Sequence, residues 1–160
     1  MGTAPPSGPG SRATSGLWHI RGISRLYFGT SDDLPIPRDY TGNGVASPAY
    51  YRSDNGLWNV KYLTRFYFGS SEDSPVPGDY DGDGTWDFGY WRPAAGLWKI
   101  RSLTRVYFGA SEDEPIPADY NGDGTTDFGY WRPSAAFWKV KNLTRIYFGK
   151  SDDDQVTNPW

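Results

Sequence analysis

The chain of 160 residues has no cysteine, one methionine and one histidine. Without cysteine there are no disulfides, no thiol catalysis and no zinc–thiolate sites. A lone His19 and no thiol cannot supply a nucleophile–base pair, which leaves carboxylates as the acid–base groups. No apolar run approaches transmembrane length, so membrane insertion is not expected. Basic residues are scattered singly under a net charge of −3, and no electrostatic footprint for nucleic acid is present. Residues 1–16, MGTAPPSGPGSRATSG, lack the charged start and apolar core of a signal peptide. They are expected to form a flexible leader or a degenerate first strand.

What the chain does have is aromatic residues, 18% of the total against 37% hydrophobic, so Trp, Tyr and Phe must supply much of the buried area. It also has a recurring acidic loop. Asp79-Tyr80-Asp81-Gly82-Asp83-Gly84-Thr85-Trp86-Asp87 returns 40 residues later as Asp119-Tyr120-Asn121-Gly122-Asp123-Gly124-Thr125-Thr126-Asp127. Oxygen side chains stand at loop positions 1, 3, 5 and 9, with glycine at 6. Oxygens at alternate positions converge as a backbone curls, and glycine permits the sharp turn, which is the chemistry of a hard cation such as Ca²⁺. The expected ligands are Asp79, Asp81, Asp83, Asp87 and the Thr85 carbonyl, then Asp119, Asn121, Asp123, Asp127 and the Thr125 carbonyl. The alternative is a solvated Asx-type turn. An EF-hand is a poor fit, because its position 12 wants Glu and this chain has Tyr90. Residues 39–47 repeat the loop with one carboxylate among the four ligand positions, and weak or no binding is expected there.

The period of 40 extends beyond the loop. Leu17-Trp18, Leu57-Trp58, Leu97-Trp98 and Phe137-Trp138 share it, as do Tyr27-Phe28-Gly29, Tyr67-Phe68-Gly69, Tyr107-Phe108-Gly109 and Tyr147-Phe148-Gly149. Each full repeat divides into four short extended pieces rich in aromatic and β-branched residues: 87–93, 96–103, 104–110 and 115–120. The prolines of the last suit an edge strand. No useful helical period is present. The expected fold is therefore all-β, a β-propeller of four blade repeats (about 17–56, 57–96, 97–136 and 137–160), with a solenoid as the alternative.

PVPGDYDGDGTWDFGYWRP and PIPADYNGDGTTDFGYWRP, each followed by an LWKI- or FWKV-type strand, resemble the FG-GAP/VCBS-like calcium-binding propeller repeats over about residues 17–150. The resemblance implies structural Ca²⁺ in a loop that joins the outer strand of one blade to the inner strand of the next. The family includes adhesion modules, lectins and domains appended to enzymes, so the resemblance alone assigns no function.

By this count the first blade lacks its inner strand, since residues 7–12 (SGPGSR) offer nothing apolar, and the last lacks a convincing outer strand. Either leader and tail complete a small ring, or two or more chains share one, making a homo-oligomer, or the contact stays open as a filament. Tyr51-Arg52, Trp91-Arg92 and Trp131-Arg132 are candidate glycan-binding residues in grooves between blades. The reading favoured over it has the rings packing blade on blade and each Arg paired with a carboxylate. Arg25, Arg65, Arg105 and Arg145 recur once per repeat, which argues for a structural role; His19 is expected to be exposed, and the Asn142-Leu143-Thr144 sequon carries little weight. The expected function is a non-catalytic, calcium-stabilised binding module for glycans or adhesion, secreted or at a cell surface. Alternatives are a self-assembling structural protein and an accessory propeller of a larger secreted enzyme.

Overall fold

The structure, a computed structural model, describes residues 15–22, 24–143 and 145–148. The expectations placed on residues 1–14 and 149–160, and on Thr144 of the sequon, lie outside the described residues. The chain divides into two compact units, residues 1–33 and 34–160.

In the first unit, β1 (Ser15–Ile20) and β2 (Ser24–Thr30) form an antiparallel hairpin with Trp18 opposite Leu26. The Trp18 indole donates to the Phe28 carbonyl at 2.9 Å, which satisfies its N–H. His19 is exposed.

The second unit holds three four-stranded antiparallel sheets. The first comprises β3 (Leu34–Pro35), β4 (Ala49–Arg52), β5 (Leu57–Val60) and β6 (Thr64–Tyr67). The second comprises β7 (Ser74–Pro75), β8 (Gly89–Arg92), β9 (Leu97–Ile100) and β10 (Arg105–Tyr107). The third comprises β11 (Glu114–Pro115), β12 (Gly129–Arg132), β13 (Phe137–Val140) and β14 (Arg145–Tyr147). Each is a simple meander in chain order. Among the described residues no helix is long and apolar enough to cross a membrane.

This arrangement corrects the phase of the repeat. The Pro-rich strand opens a sheet and pairs with the strand after the acidic loop: Ser74 lies opposite Trp91 and Pro75 opposite Tyr90, with a further bridge from Gly78 to Asp87. The acidic loop is thus the tip of a hairpin inside one sheet and does not connect two sheets. Proline sits at the sheet edge, where its missing N–H removes no ladder bond.

Period-two alternation sends one face of each sheet toward the next. Across the middle of the first sheet, Tyr51, Trp58 and Phe66 are opposite one another on one face. Phe88 of the second sheet enters there: its ring stacks on Tyr40 (4.9 Å, 3°) and meets Trp58 and Phe66 edge-on at 5.4 and 4.8 Å. The next joint repeats this, with Phe128 against Tyr80 (5.0 Å) and Trp98 (5.5 Å). Tyr90 packs on Phe68 at 4.8 Å and Tyr130 on Phe108 at 4.9 Å. Trp58 and Trp98 are fully buried, and each donates its indole N–H to a carbonyl, of Phe68 and Phe108, at 2.9 Å. Each such burial removes on the order of 200 Å² from water, about 5 kcal/mol before entropy is charged. Arg65, Arg105 and Arg145 are exposed on edge strands, so the recurrence of arginine there does not come from burial.

Candidate metal site and central cavity

The acidic loop closes by short-range hydrogen bonds from its own backbone. Asp79 accepts from the amides of Gly82 (2.7 Å), Asp83 (3.1 Å) and Gly84 (2.9 Å). Asp83 accepts from Thr85 N at 2.7 Å, and Asp87 from Tyr80 N at 2.9 Å. Gly82 and Gly84 sit at φ of 76° and 84°, the left-handed region that side chains resist, which explains their place in the motif.

The fold draws the carboxylates of Asp79, Asp81 and Asp87 to within 4.8 Å of one another. Two oxygens bound to one Ca²⁺ at about 2.4 Å can lie at most about 4.8 Å apart, so this triad fits a shared hard cation. Among the described residues no other three His, Cys, Asp or Glu side chains converge in this way. Burial first, then the charges of Asp81, Asp79 and Asp83, push the Asp87 carboxyl up to about 6. The site thus concentrates negative charge that a cation would neutralise. Asp83 lies outside the triad and is engaged in its turn with Thr85. The Thr85 side chain faces Gly42, where an added Cβ would lie 2.9 Å from its Oγ1.

The second loop has the same skeleton. Asp119 accepts from Gly122 N (2.7 Å) and Gly124 N (2.9 Å), Asn121 from Asp123 N (2.8 Å), Asp123 from Thr125 N (2.8 Å) and Asp127 from Tyr120 N (3.1 Å). Asn121 in place of Asp81 leaves one charge fewer. Turn bonds to Asp119 and Asp123 hold those two carboxyls below their ordinary range. The degenerate loop keeps the skeleton too: Asp39 accepts from Gly44 N at 2.6 Å and Asn43 from Val45 N at 2.8 Å. Ser47 stands where Asp87 and Asp127 do. Loop shape is therefore set by the Asx bonds, independently of the carboxylate count.

Neighbouring loops are also tied together. Trp86 N donates to Asp39 O at 2.9 Å, and Thr126 N to Asp79 O at 2.6 Å. The Arg38 guanidinium lies 4.5 Å from the Trp86 ring, whereas Gly78 leaves room for Thr126, whose Cγ2 would lie 2.7 Å from an added Cβ. The Pro-rich strands of all three sheets line one cavity of about 600 Å³, with Pro35, Pro75 and Pro115 in its wall and Trp86, Asp79 and Asp119 among its polar and aromatic groups. The acidic loops and this cavity form one continuous region.

The six candidate glycan residues are placed elsewhere. Tyr51, Trp91 and Trp131 are buried at 0%, 1% and 3% exposure, so their faces are spent on the core and cannot stack on a sugar. Arg92 is held by Asp73 through Nε at 2.7 Å and Nη2 at 2.8 Å, and Arg132 by Asp113 at 2.6 and 2.8 Å. These carboxylates raise both guanidiniums further above their ordinary range. Arg52 lies 5.7 Å from the Tyr50 ring. Asp73 and Asp113 escaped the reading of the sequence, although an aspartate at 33, 73, 113 and 153 is a visible signal. The proline-lined cavity had no signal in the sequence, since it is made by strands 40 residues apart.

Compared with known proteins, the chain matches no protein-family model, no curated protein and no solved structure.

Proposed function

We propose that this protein is a non-catalytic, calcium-stabilised β-propeller binding module of the FG-GAP/VCBS type, acting outside the cell on glycans. The successive sheets are its blades, with the Pro-rich strands innermost. The observation that carries this reading is the convergence of Asp79, Asp81 and Asp87 at a loop tip that also borders the proline-lined cavity. Asp119, Asn121 and Asp127 hold a second, weaker ion. Calcium at these tips clips neighbouring loops together and needs no open coordination position for an activated water. Apolar proline faces, the Trp86 ring and nearby carboxylates offer a polyhydroxylated ligand both stacking surface and hydrogen-bond acceptors. The lone His19 and the absence of thiols support a non-catalytic role.

The test is calorimetric titration with Ca²⁺, followed by a glycan array run in calcium and in chelator. Binding with Kd on the order of 10⁻⁴–10⁻³ M is expected for extracellular modules. No heat above that of an Asp79→Asn/Asp81→Asn variant would sink the calcium reading. An array without a calcium-dependent hit would sink the glycan reading.

A further inference from the structure

The last two strands of every sheet form a hairpin of one charge sign. Residues 17–28, 57–68, 97–108 and 137–148 hold ten of the sixteen Lys and Arg and none of the nineteen Asp and Glu. Along the chain these cations are scattered singly, but strand register gathers them. Lys99 lies opposite Arg105, Lys139 opposite Arg145 and His19 opposite Arg25. Directly opposed side chains share one sheet face, and like charges so placed destabilise the sheet. Among the described residues no carboxylate forms an ion pair with Lys99 or Arg105. The repeat therefore keeps an arrangement that costs stability.

Two residues after each arginine, on the same face, stands a tyrosine. Tyr27, Tyr67, Tyr107 and Tyr147 are 64% to 69% exposed, whereas Phe66 and Val106 between them and the arginines pack on the core. Packing does not explain a phenol left in water at the same place in every repeat. The Arg105 guanidinium lies 6.0 Å from the Tyr107 ring, so cation and ring form one platform. The acidic loops belong to the other half of each sheet, between β7 and β8 and between β11 and β12, so charge is segregated within each sheet under a net charge of only −3.

We propose that these hairpin platforms are a second glycan-binding surface, for an acidic polysaccharide. Carboxylate or sulfate groups of the polymer meet the Lys–Arg pairs, and the apolar faces of its sugar rings lie on the tyrosines. An anion held between Lys99 and Arg105 relieves the repulsion that the free sheet carries. Platforms on β6, β10 and β14 belong to successive sheets of the second unit, and a polymer with regularly spaced charges engages several weak sites at once. Asn59 opposite Arg65 makes the first of these the weakest. None of these residues lines the proline-lined cavity. The choice of a polysaccharide over a nucleic acid rests on the extracellular, glycan-directed role proposed above.

Binding of the full chain to immobilised dextran, carboxymethyl dextran and dextran sulfate tests this, since the three share one sugar backbone. The charged polymers are expected to bind and plain dextran is not, with affinity that falls as salt is added. The tighter of the two names the preferred anion. Arg65→Glu, Arg105→Glu and Arg145→Glu together should weaken binding about 100-fold, the low end of what linked weak sites add. The fold should survive, because at 105 and 145 the substitutions put opposite charges across the sheet. Tyr67→Ala, Tyr107→Ala and Tyr147→Ala together leave the net charge unchanged and should weaken binding about ten-fold, a smaller share of the same avidity. The Asp79→Asn/Asp81→Asn variant should bind charged dextran as the wild type does, so the calcium and cavity reading can fail while this one stands, and the reverse. The proposal is overturned if neither charged dextran binds, if the arginine variant binds like the wild type, if the tyrosine variant does so, which marks simple ion exchange, or if single-stranded DNA binds as tightly as the charged dextrans.

Discussion

Asp73 and Arg92 join two strands of the second sheet across its edge: a fully buried carboxylate meets a guanidinium with its side chain one-third exposed, at 2.7 and 2.8 Å. The same carboxylate accepts from Ser70 N at 2.8 Å and Ser70 Oγ at 3.0 Å, so it closes the turn before β7 as well.

Asp73→Ala is therefore expected to destabilise the protein by about 2 kcal/mol, below the roughly 3–5 kcal/mol of a fully buried pair because water reaches Arg92. Arg92→Ala should cost at least as much, since it strands the buried carboxylate. Urea denaturation of both variants, with Asp113→Ala as the parallel case, checks the ranking. Unchanged midpoints would remove the clasp from the account.

Phe88 is the wedge of the first joint. Phe88→Ala should cost about 3 kcal/mol, the low end for a large aromatic truncation because the ring is only partly buried. Phe88→Leu should recover part of that. A two-step urea transition would show that the sheets have come apart as separate units; one shifted transition would show that they still unfold together.

Calcium should raise the melting temperature modestly. At millimolar Ca²⁺ and Kd on the order of 10⁻⁴–10⁻³ M, each site adds about 0.4–1.4 kcal/mol. Asp81→Asn should bring the first loop down to the weaker effect of the second, where Asn121 holds that position, while Asn43→Asp in the degenerate loop should add none, because Thr41 and Ser47 still stand where the triad has Asp81 and Asp87. Differential scanning calorimetry in calcium and in chelator decides it.

Alkaline pH should unfold the protein through its buried phenols. Burial, with the nearby Asp73 charge second, pushes Tyr51 up to about 12. Tyr40 and Tyr80 rise further, again through burial first. An unfolded tyrosine ionises near 10. The folded state thus holds protons that the unfolded state has released, and stability present below pH ~10 is lost as pH rises toward 12. Phenolate absorbance should show these tyrosines ionising together with the loss of aromatic circular dichroism; ionisation with the fold intact would contradict their burial.

Tyr62 holds φ at 63° in the β5–β6 turn while its side chain is 95% exposed. Asn142 has the same φ in the equivalent turn. Tyr62→Asn should stabilise by about 0.5–1 kcal/mol, because asparagine tolerates the left-handed region better than a bulky side chain. Thermal melts of the pair check this.

The sequence by itself determined what depends on neighbours a few residues apart. Loop shape follows from Asp and Asn oxygens reaching amides two to five positions away, with Gly82 and Gly84 freeing the turn, and even the loop at Asp39 keeps it. The all-β character follows from short aromatic and β-branched runs broken by Gly and Pro; the recurrence of Trp18, Trp58, Trp98 and Trp138 among apolar neighbours predicts all four in the core, yet only Trp58 and Trp98 are fully buried and Trp18 and Trp138 are half-buried. Tertiary structure decided where one sheet ends and the next begins. A strict repeat reads the same wherever it is cut, and only the pairing of Pro75 with Tyr90 puts the acidic loop inside a sheet. It also decided that Asp73 meets Arg92, that Asp83 stays outside the triad, and that prolines 40 residues apart share one cavity. Each of these rests on side chains brought together across strands, a relationship set by register and by the approach of successive sheets.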